Sequence, residues 1–195
     1  AIAGFTIVAA SIVALFADNL KRRLAYSTVS QLSYVVLAAA LIAPLSIVGA
    51  ALHIATHAFA KITLFFTAGA IYTAAHKTEV SQLDGIGRRM PWTMGAFTIG
   101  ALSLIGIPPA AGFVSKWYIM TSAAQGGHTL VVVVLILSTL LNAAYFLPIV
   151  HAAFFRPLPA ADVAHAHGEA PLAMVLALVT TAAGTLALFF LSAPL

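Results

Sequence analysis

The stretch SIVGAALHIATHAFAKITLFFTAGAIYTAAH, residues 46–76, is apolar over most of its length and carries His53, His57 and Lys61 at four-residue intervals. At about 100° per residue, successive members are offset by about 40° and rise about 6 Å, so an α-helix puts all three on one face. Lys61 then lies near the middle, roughly 22 Å of helix from either end, beyond the reach of a side chain that snorkels to an interface. A run this long, with its one lysine at the centre, reads as a membrane-spanning helix that contains a ladder of titratable groups.

The rest of the chain fits that reading. Of 195 residues, 62% are hydrophobic and 7% are charged, and the mean hydropathy is +1.06. A water-soluble globule would lack the polar residues to cover its surface. A transmembrane barrel would alternate polar and apolar positions, whereas residues 129–141 are apolar on every side. The sequence therefore predicts an all-α, polytopic transmembrane helix bundle forming a single membrane domain. About six spans are expected, at 1–17, 22–43, 46–76, 91–124, 129–155 and 171–192. The opening residues lack an initiator Met, a charged n-region and a cleavage site, which predicts an N-terminal portion before Ala1. With no cysteine, disulfides, thiolate metal sites and cysteine nucleophiles are excluded.

A net charge of +4 and a pI near 9.7 could point to nucleic acid, but the distribution of charge argues otherwise. Loop one carries Asp18, Lys21, Arg22 and Arg23; loop three carries Lys77, Glu79, Asp84, Arg88 and Arg89; loop five carries Arg156, Asp162 and Glu169. Loops two and four carry no formal charge. Alternate loops share a side, so the basic loops are expected to be cytoplasmic and the lipid bilayer, not nucleic acid, to be the partner of this surface. Apart from Arg22 and Arg23 at the very start of the second span, only Lys61 and Lys116 of the Lys and Arg residues fall within spans. A lysine buried there must pair with a carboxylate, sit against water or give up its proton.

Lys116 belongs to the second informative segment, ALSLIGIPPAAGFVSKWYIM, residues 101–120. Pro108 and Pro109 supply no amide donors, so the carbonyls of Leu104 and Ile105 lose their normal i+4 partners and the helix must break or kink near Gly106. In hydrocarbon, freed carbonyls are tolerated only where they are buried in protein or face water, and transporters build ion sites at such breaks. Ser103 and Ser115 are placed to solvate the break. An ordinary proline kink with Lys116 near an interface is the plainer alternative.

His53 and His57 have the spacing of a helical zinc pair, but Ile54, Ala55 and Thr56 stand between them and no glutamate does, so no metal is expected. Asp18 or Asn19 is placed to cap a helix. Lys21, Arg22 and Arg23 read as topology-fixing charge in its first turn. His165, His167 and Glu169 read as a solvated linker, and His76 and His128 as surface residues. Trp117 and Tyr118 fit either packing or an interfacial belt, and His151 either a proton-uptake group or an interfacial residue.

Five segments carry a family resemblance: DNLKRRLAYSTVSQLSY (18–34), HIATHAFAKITLFFTAGA (53–70), LDGIGRRMPWT (83–93), GIPPAAGFVSKWY (106–118) and LLNAAYFLPIVHAAFF (140–155). Together they resemble the antiporter-like membrane subunits shared by respiratory complex I and the Mrp-type monovalent cation/proton antiporters, with GFVSKWY and LNAAYFLPIV most like the D-type members of the Mrp branch. The resemblance implies the C-terminal part of a larger inverted-repeat transporter subunit. Residues 1–155 would form the second five-helix repeat, 156–170 a cytoplasmic loop, and 171–192 a closing helix.

Residue by residue, the resemblance implies that Lys61 is the central relay lysine, that His53 and His57 lead to it, and that Lys116 stands on a broken helix toward the exit half-channel. The helix break would be at Gly106, Pro108 and Pro109. The family's essential glutamate and first relay lysine belong to the other repeat and cannot be carried over. The implied function is that of a membrane subunit of a multisubunit Na+/proton antiporter, assembled with other membrane subunits in a bacterial inner membrane and passing protons and monovalent cations. The alternative is a proton-pumping subunit of NADH:quinone oxidoreductase or a related hydrogenase. There the chain would be a translocase subunit with no cofactor and no catalytic chemistry of its own. A membrane anchor without an ion path is the third reading.

Overall fold

A computed structural model describes residues 1–159 and 168–192. These form seven α-helices: α1 Ile2–Phe16, α2 Leu20–Ala40, α3 Pro44–Ala75, α4 Pro91–Ile105, α5 Gly112–Gln125, α6 Thr129–Phe155 and α7 Leu172–Ser192. The predicted span 91–124 is thus two helices, α4 and α5, and the other five predicted spans each match one helix within a few residues. α3, α6 and α7 are long and apolar enough to cross a membrane, and α1 and α4 are shorter apolar helices. Asp162, His165 and His167 lie outside the described residues.

Helix ends follow local chemistry. Asn19 caps α2, its side chain accepting from the Arg22 amide at 3.1 Å. Pro44 and Pro91 open α3 and α4 at positions where a helix needs no amide donor. α3 is the central element, packed against α2, α4, α5 and α7, while α1 lies on α2 and α6. α7 docks on α3 through Thr63 Oγ1, which donates to Thr181 Oγ1 at 2.8 Å.

The charged loops meet at one end of the bundle. Loop one pairs with loop three: Leu20 N donates to Thr78 O at 2.9 Å, Val80 N to Asp18 O at 2.7 Å, and Ser81 Oγ to Asp18 Oδ2 at 2.7 Å. Loop three reaches α6 where Gly85 N donates to Ala152 O at 2.9 Å, and Arg156 meets Asp84 at 3.2 Å. Glu169 is more than a linker residue. Its carboxylate accepts from Trp92 N at 2.6 Å and Thr93 Oγ1 at 2.5 Å, which satisfies the first turn of α4.

The junction between α4 and α5 is very tight. Gly106 ends α4 at φ +91°, a conformation that disfavours any residue with a Cβ. At the start of α5, a Cβ on Gly112 would lie 1.9 Å from the Ser103 carbonyl oxygen, and the Gly112 amide donates to Ser103 Oγ at 3.1 Å. The first turn of α5 therefore rests directly on the last turn of α4. Gly112→Ala is expected to lower stability by about 1–3 kcal/mol through overpacking. Gly95→Ala, where a methyl meets no atom within 4 Å, should leave the thermal unfolding midpoint of the purified full-length subunit in detergent unchanged or raise it.

Candidate functional site

The carbonyls freed by the two prolines are the organising feature of the bundle interior. Lys116, one turn into α5, turns back onto the end of α4 and donates to Leu104 O at 2.6 Å and Ile105 O at 3.1 Å. Leu104 O also accepts from Gln31 Nε2 of α2 and Asn142 Nδ2 of α6, each at 3.3 Å. The break is thus solvated by protein from three helices, as freed backbone in an apolar medium requires. Lys116 is only 9% exposed and is not an interfacial lysine. Its ammonium lies 5.0 Å from the centroid of the Tyr34 ring, and both residues line a cavity of about 250 Å³ between α5 and α6.

His53, His57 and Lys61 share a buried face of α3, with Lys61 6% exposed. The two imidazoles stack with centroids 6.1 Å apart, and His53 stacks in turn on Tyr34 at 5.4 Å. His53 Nδ1 hydrogen-bonds Ser115 Oγ at 2.9 Å, and Ser115 donates to Gly112 O at 3.1 Å, which ties the ladder to the start of α5. The Nε2 atoms of both histidines are buried without a hydrogen-bond partner among the described residues, an arrangement that native interiors seldom leave unused. Lys61 reaches α2, donating to Leu24 O at 2.8 Å and to Ser27 Oγ. Among the described residues, neither ammonium meets a carboxylate; each is held by neutral oxygens alone.

All four residues singled out in the sequence are therefore buried, and His53 and Lys116 converge on Tyr34. Ser115 and the carbonyls of Leu104 and Ile105 were among the expected partners, but those on α2 and α6 were not singled out. Ser27, Gln31 and Tyr34 on α2, and Ser138, Asn142 and Tyr145 on α6, are all fully buried and share the spacing i, i+4, i+7. That spacing places each trio on one helix face, and two such polar stripes in apolar helices were a legible signal. Ser27 of the first stripe receives Lys61, and within the second the Tyr145 hydroxyl donates to Asn142 Oδ1.

Arg23 also differs from its expected role as topology-fixing charge in a loop. It lies inside α2, buried, and its guanidinium donates to Ala17 O at 2.8 Å, Tyr145 O at 3.0 Å and Leu15 O at 3.3 Å. It closes the last turn of α1 and ties it to α6. His76 and His128 are exposed, as expected for surface residues, and His151 is exposed and stacks on Phe155 at 5.4 Å.

A helical bundle with a broken helix and a buried ladder of His and Lys defines an antiporter-like membrane subunit. The comparison with known proteins agrees: the family described as NADH:quinone oxidoreductase/Mrp antiporter, TM, matches residues 1–142, and the chain belongs to that family. Subunit N of an NADH-quinone oxidoreductase from Desulforudis audaxviator is 44% identical over 149 residues, 76% of this chain and 30% of that protein. The chain thus spans about a third of the length of that relative. Among solved structures, the Mrp complex from Dietzia sp. DQ12-45-1b superposes with a TM-score of 0.87 at 22% identity, covering 97% of this chain and 43% of the matched one. Respiratory complex I from Thermus thermophilus with bound NADH gives 0.87 at 20% identity, covering 98% and 40%. At those identities the two structures establish the fold, which is that of a multi-pass membrane protein.

Replacing Arg23 by Met leaves the carbonyls of Leu15, Ala17 and Tyr145 short of a donor. Stability in a chemical unfolding titration of the full-length subunit should fall by about 3 kcal/mol, with Arg23→Lys recovering only part of it.

Proposed function

We propose that this chain carries protons through the interior of a multisubunit respiratory-type membrane complex, with His53, His57, Lys61 and Lys116 as the relay. The observation that carries the reading is that both buried ammonium groups are held by uncharged acceptors alone. A lysine locked to a carboxylate in hydrocarbon keeps its charge, because breaking a buried pair is strongly unfavourable. A lysine held by carbonyl and hydroxyl oxygens keeps an amine lone pair available once the proton leaves, so its charge state is free to change. The stacked histidines each add a buried ring nitrogen with no hydrogen-bond partner among the described residues, a site where a proton can bind.

The assembly we favour is a quinone-linked oxidoreductase, in which electron transfer takes place in other subunits and this chain belongs to the membrane part. The support is the 44% identity to an NADH-quinone oxidoreductase subunit N over 76% of this chain. The second reading is a monovalent cation (Na+)/proton antiporter, supported by the equally good superposition on the Mrp complex. Purified complex in proteoliposomes separates them: proton uptake driven by a reduced electron donor and quinone supports the first, and uptake driven by a sodium gradient supports the second. In either assembly the joined ends bearing Lys21, Arg22, Arg88 and Arg156 would face the cytoplasm of a bacterial cell.

Lys61→Ala in the full-length subunit should abolish proton transport while the complex assembles. Lys61→Arg should abolish it too, because a guanidinium keeps its proton. Proton transport at the normal rate in the arginine variant would mean that position 61 needs only a fixed cation, and the relay would be wrong.

A further inference from the structure

Tyr34 meets both halves of the proposed relay, His53 on α3 and Lys116 on α5. We propose that its ring is a positioning platform shared by His53 and Lys116, stabilising a positive charge on either one through its π face. The proposal rests on the relay reading and deepens it by adding a residue that neither the family resemblance nor the sequence pattern singled out.

Three observations support it. The Tyr34 and His53 rings are nearly parallel, 12° apart, with centroids 5.4 Å apart, and the Lys116 ammonium lies over the same ring at 5.0 Å. The ring sits in apolar surroundings, completely buried in a cluster with Ile7, Leu37, Ala50, Ile119 and Leu135, beside the cavity it shares with Lys116. Cation–π attraction is strongest where water is excluded. Finally, the hydroxyl lies beside Ser138 and Thr139 but completes no hydrogen bond among the described residues. The contacts with His53 and Lys116 are made by the ring and not by the phenol oxygen.

The remaining neighbours leave this role to the ring. Against Lys116 and His53, α2 offers Gln31 and Tyr34, α3 adds His57, α4 offers the Leu104 and Ile105 carbonyls, α5 offers Ser115, and α6 offers Asn142. None of these is an anion. With no carboxylate among the described residues to compensate a charge at this point, the quadrupole of Tyr34 and the backbone dipoles at the break are what favour it. Both cations draw on one ring, and like charges so close repel, so the platform suits one proton at a time.

The test replaces position 34 in the full-length subunit, assembled in its complex and reconstituted in proteoliposomes. Tyr34→Phe should transport protons within about twofold of the native rate, and Tyr34→Leu should lose about tenfold, between the scales of an exposed and a fully desolvated cation–π contact. Replacing Tyr34 by phenylalanines carrying one, two and three ring fluorines keeps the shape and steadily weakens the π face, so the rate should fall step by step. A flat response across the fluorinated series would overturn the platform, because a packing role would give that result. Lys61→Ala measured alongside keeps the two claims apart. If that variant is inactive while the fluorinated series is flat, the relay stands without the platform; if it transports normally, the relay falls and the platform with it.

Discussion

The carbonyl oxygen of Leu104 is the point on which the interior depends. Pro108 removes its helical donor, and an unpaired carbonyl in an apolar medium costs several kcal/mol. That penalty is met by three donors from three helices: Gln31 on α2, Lys116 on α5 and Asn142 on α6. The same oxygen that makes the break tolerable therefore fixes where Lys116 rests, and it sets α2 and α6 against the end of α4. Ile105 O adds a second anchor for the ammonium, and the close seat of Gly112 on Ser103 keeps α5 at the distance this geometry needs. A broken helix here is a mutual arrangement: backbone that needs donors, and a lysine that needs acceptors other than water.

The two polar stripes extend this logic across the bundle. Ser27 receives Lys61 and Gln31 reaches the break on one stripe, while Asn142 reaches it on the other with Tyr145 bound to its amide oxygen. Arg23 then fastens the base of α1 to α6 through the Tyr145 carbonyl. Buried polar groups thus run from Arg23, near the joined loops, to Lys61 on α3, and among the described residues the charged ones are Arg23 and the two lysines. In a medium where helices gain nothing from hiding apolar surface from lipid, such interhelical hydrogen bonds and close packing specify which helices touch.

Much of this was legible from residues alone. Period and length gave the helices, and the prolines identified Leu104 and Ile105 as the carbonyls in need of donors. The four-residue spacing placed His53, His57 and Lys61 together. Gln31 and Asn142, which share the Leu104 carbonyl with Lys116, were hidden because they lie dozens of residues away on α2 and α6, and local pattern contains no register between helices. Arg23 was misplaced for a different reason: beside Lys21 and Arg22 it looks like one more interfacial charge. Its phase distinguishes it, since positions 23, 27, 31 and 34 follow one helix face and the two preceding basic residues do not. The twin stripes were readable by the same test, which weighs polar residues in apolar helices as heavily as charged ones.

Lys61 stands about halfway along the 32 residues of α3. A cation at such a depth lies within the electric field across an energised bilayer, and one that senses half of the potential changes in energy by about 1 kcal/mol for every 100 mV. Under the proposed relay, each proton taken up at this position moves one charge through part of that field, so its occupancy is coupled to voltage. The helix that buries the amine thereby makes it a gauge of the membrane's state of charge.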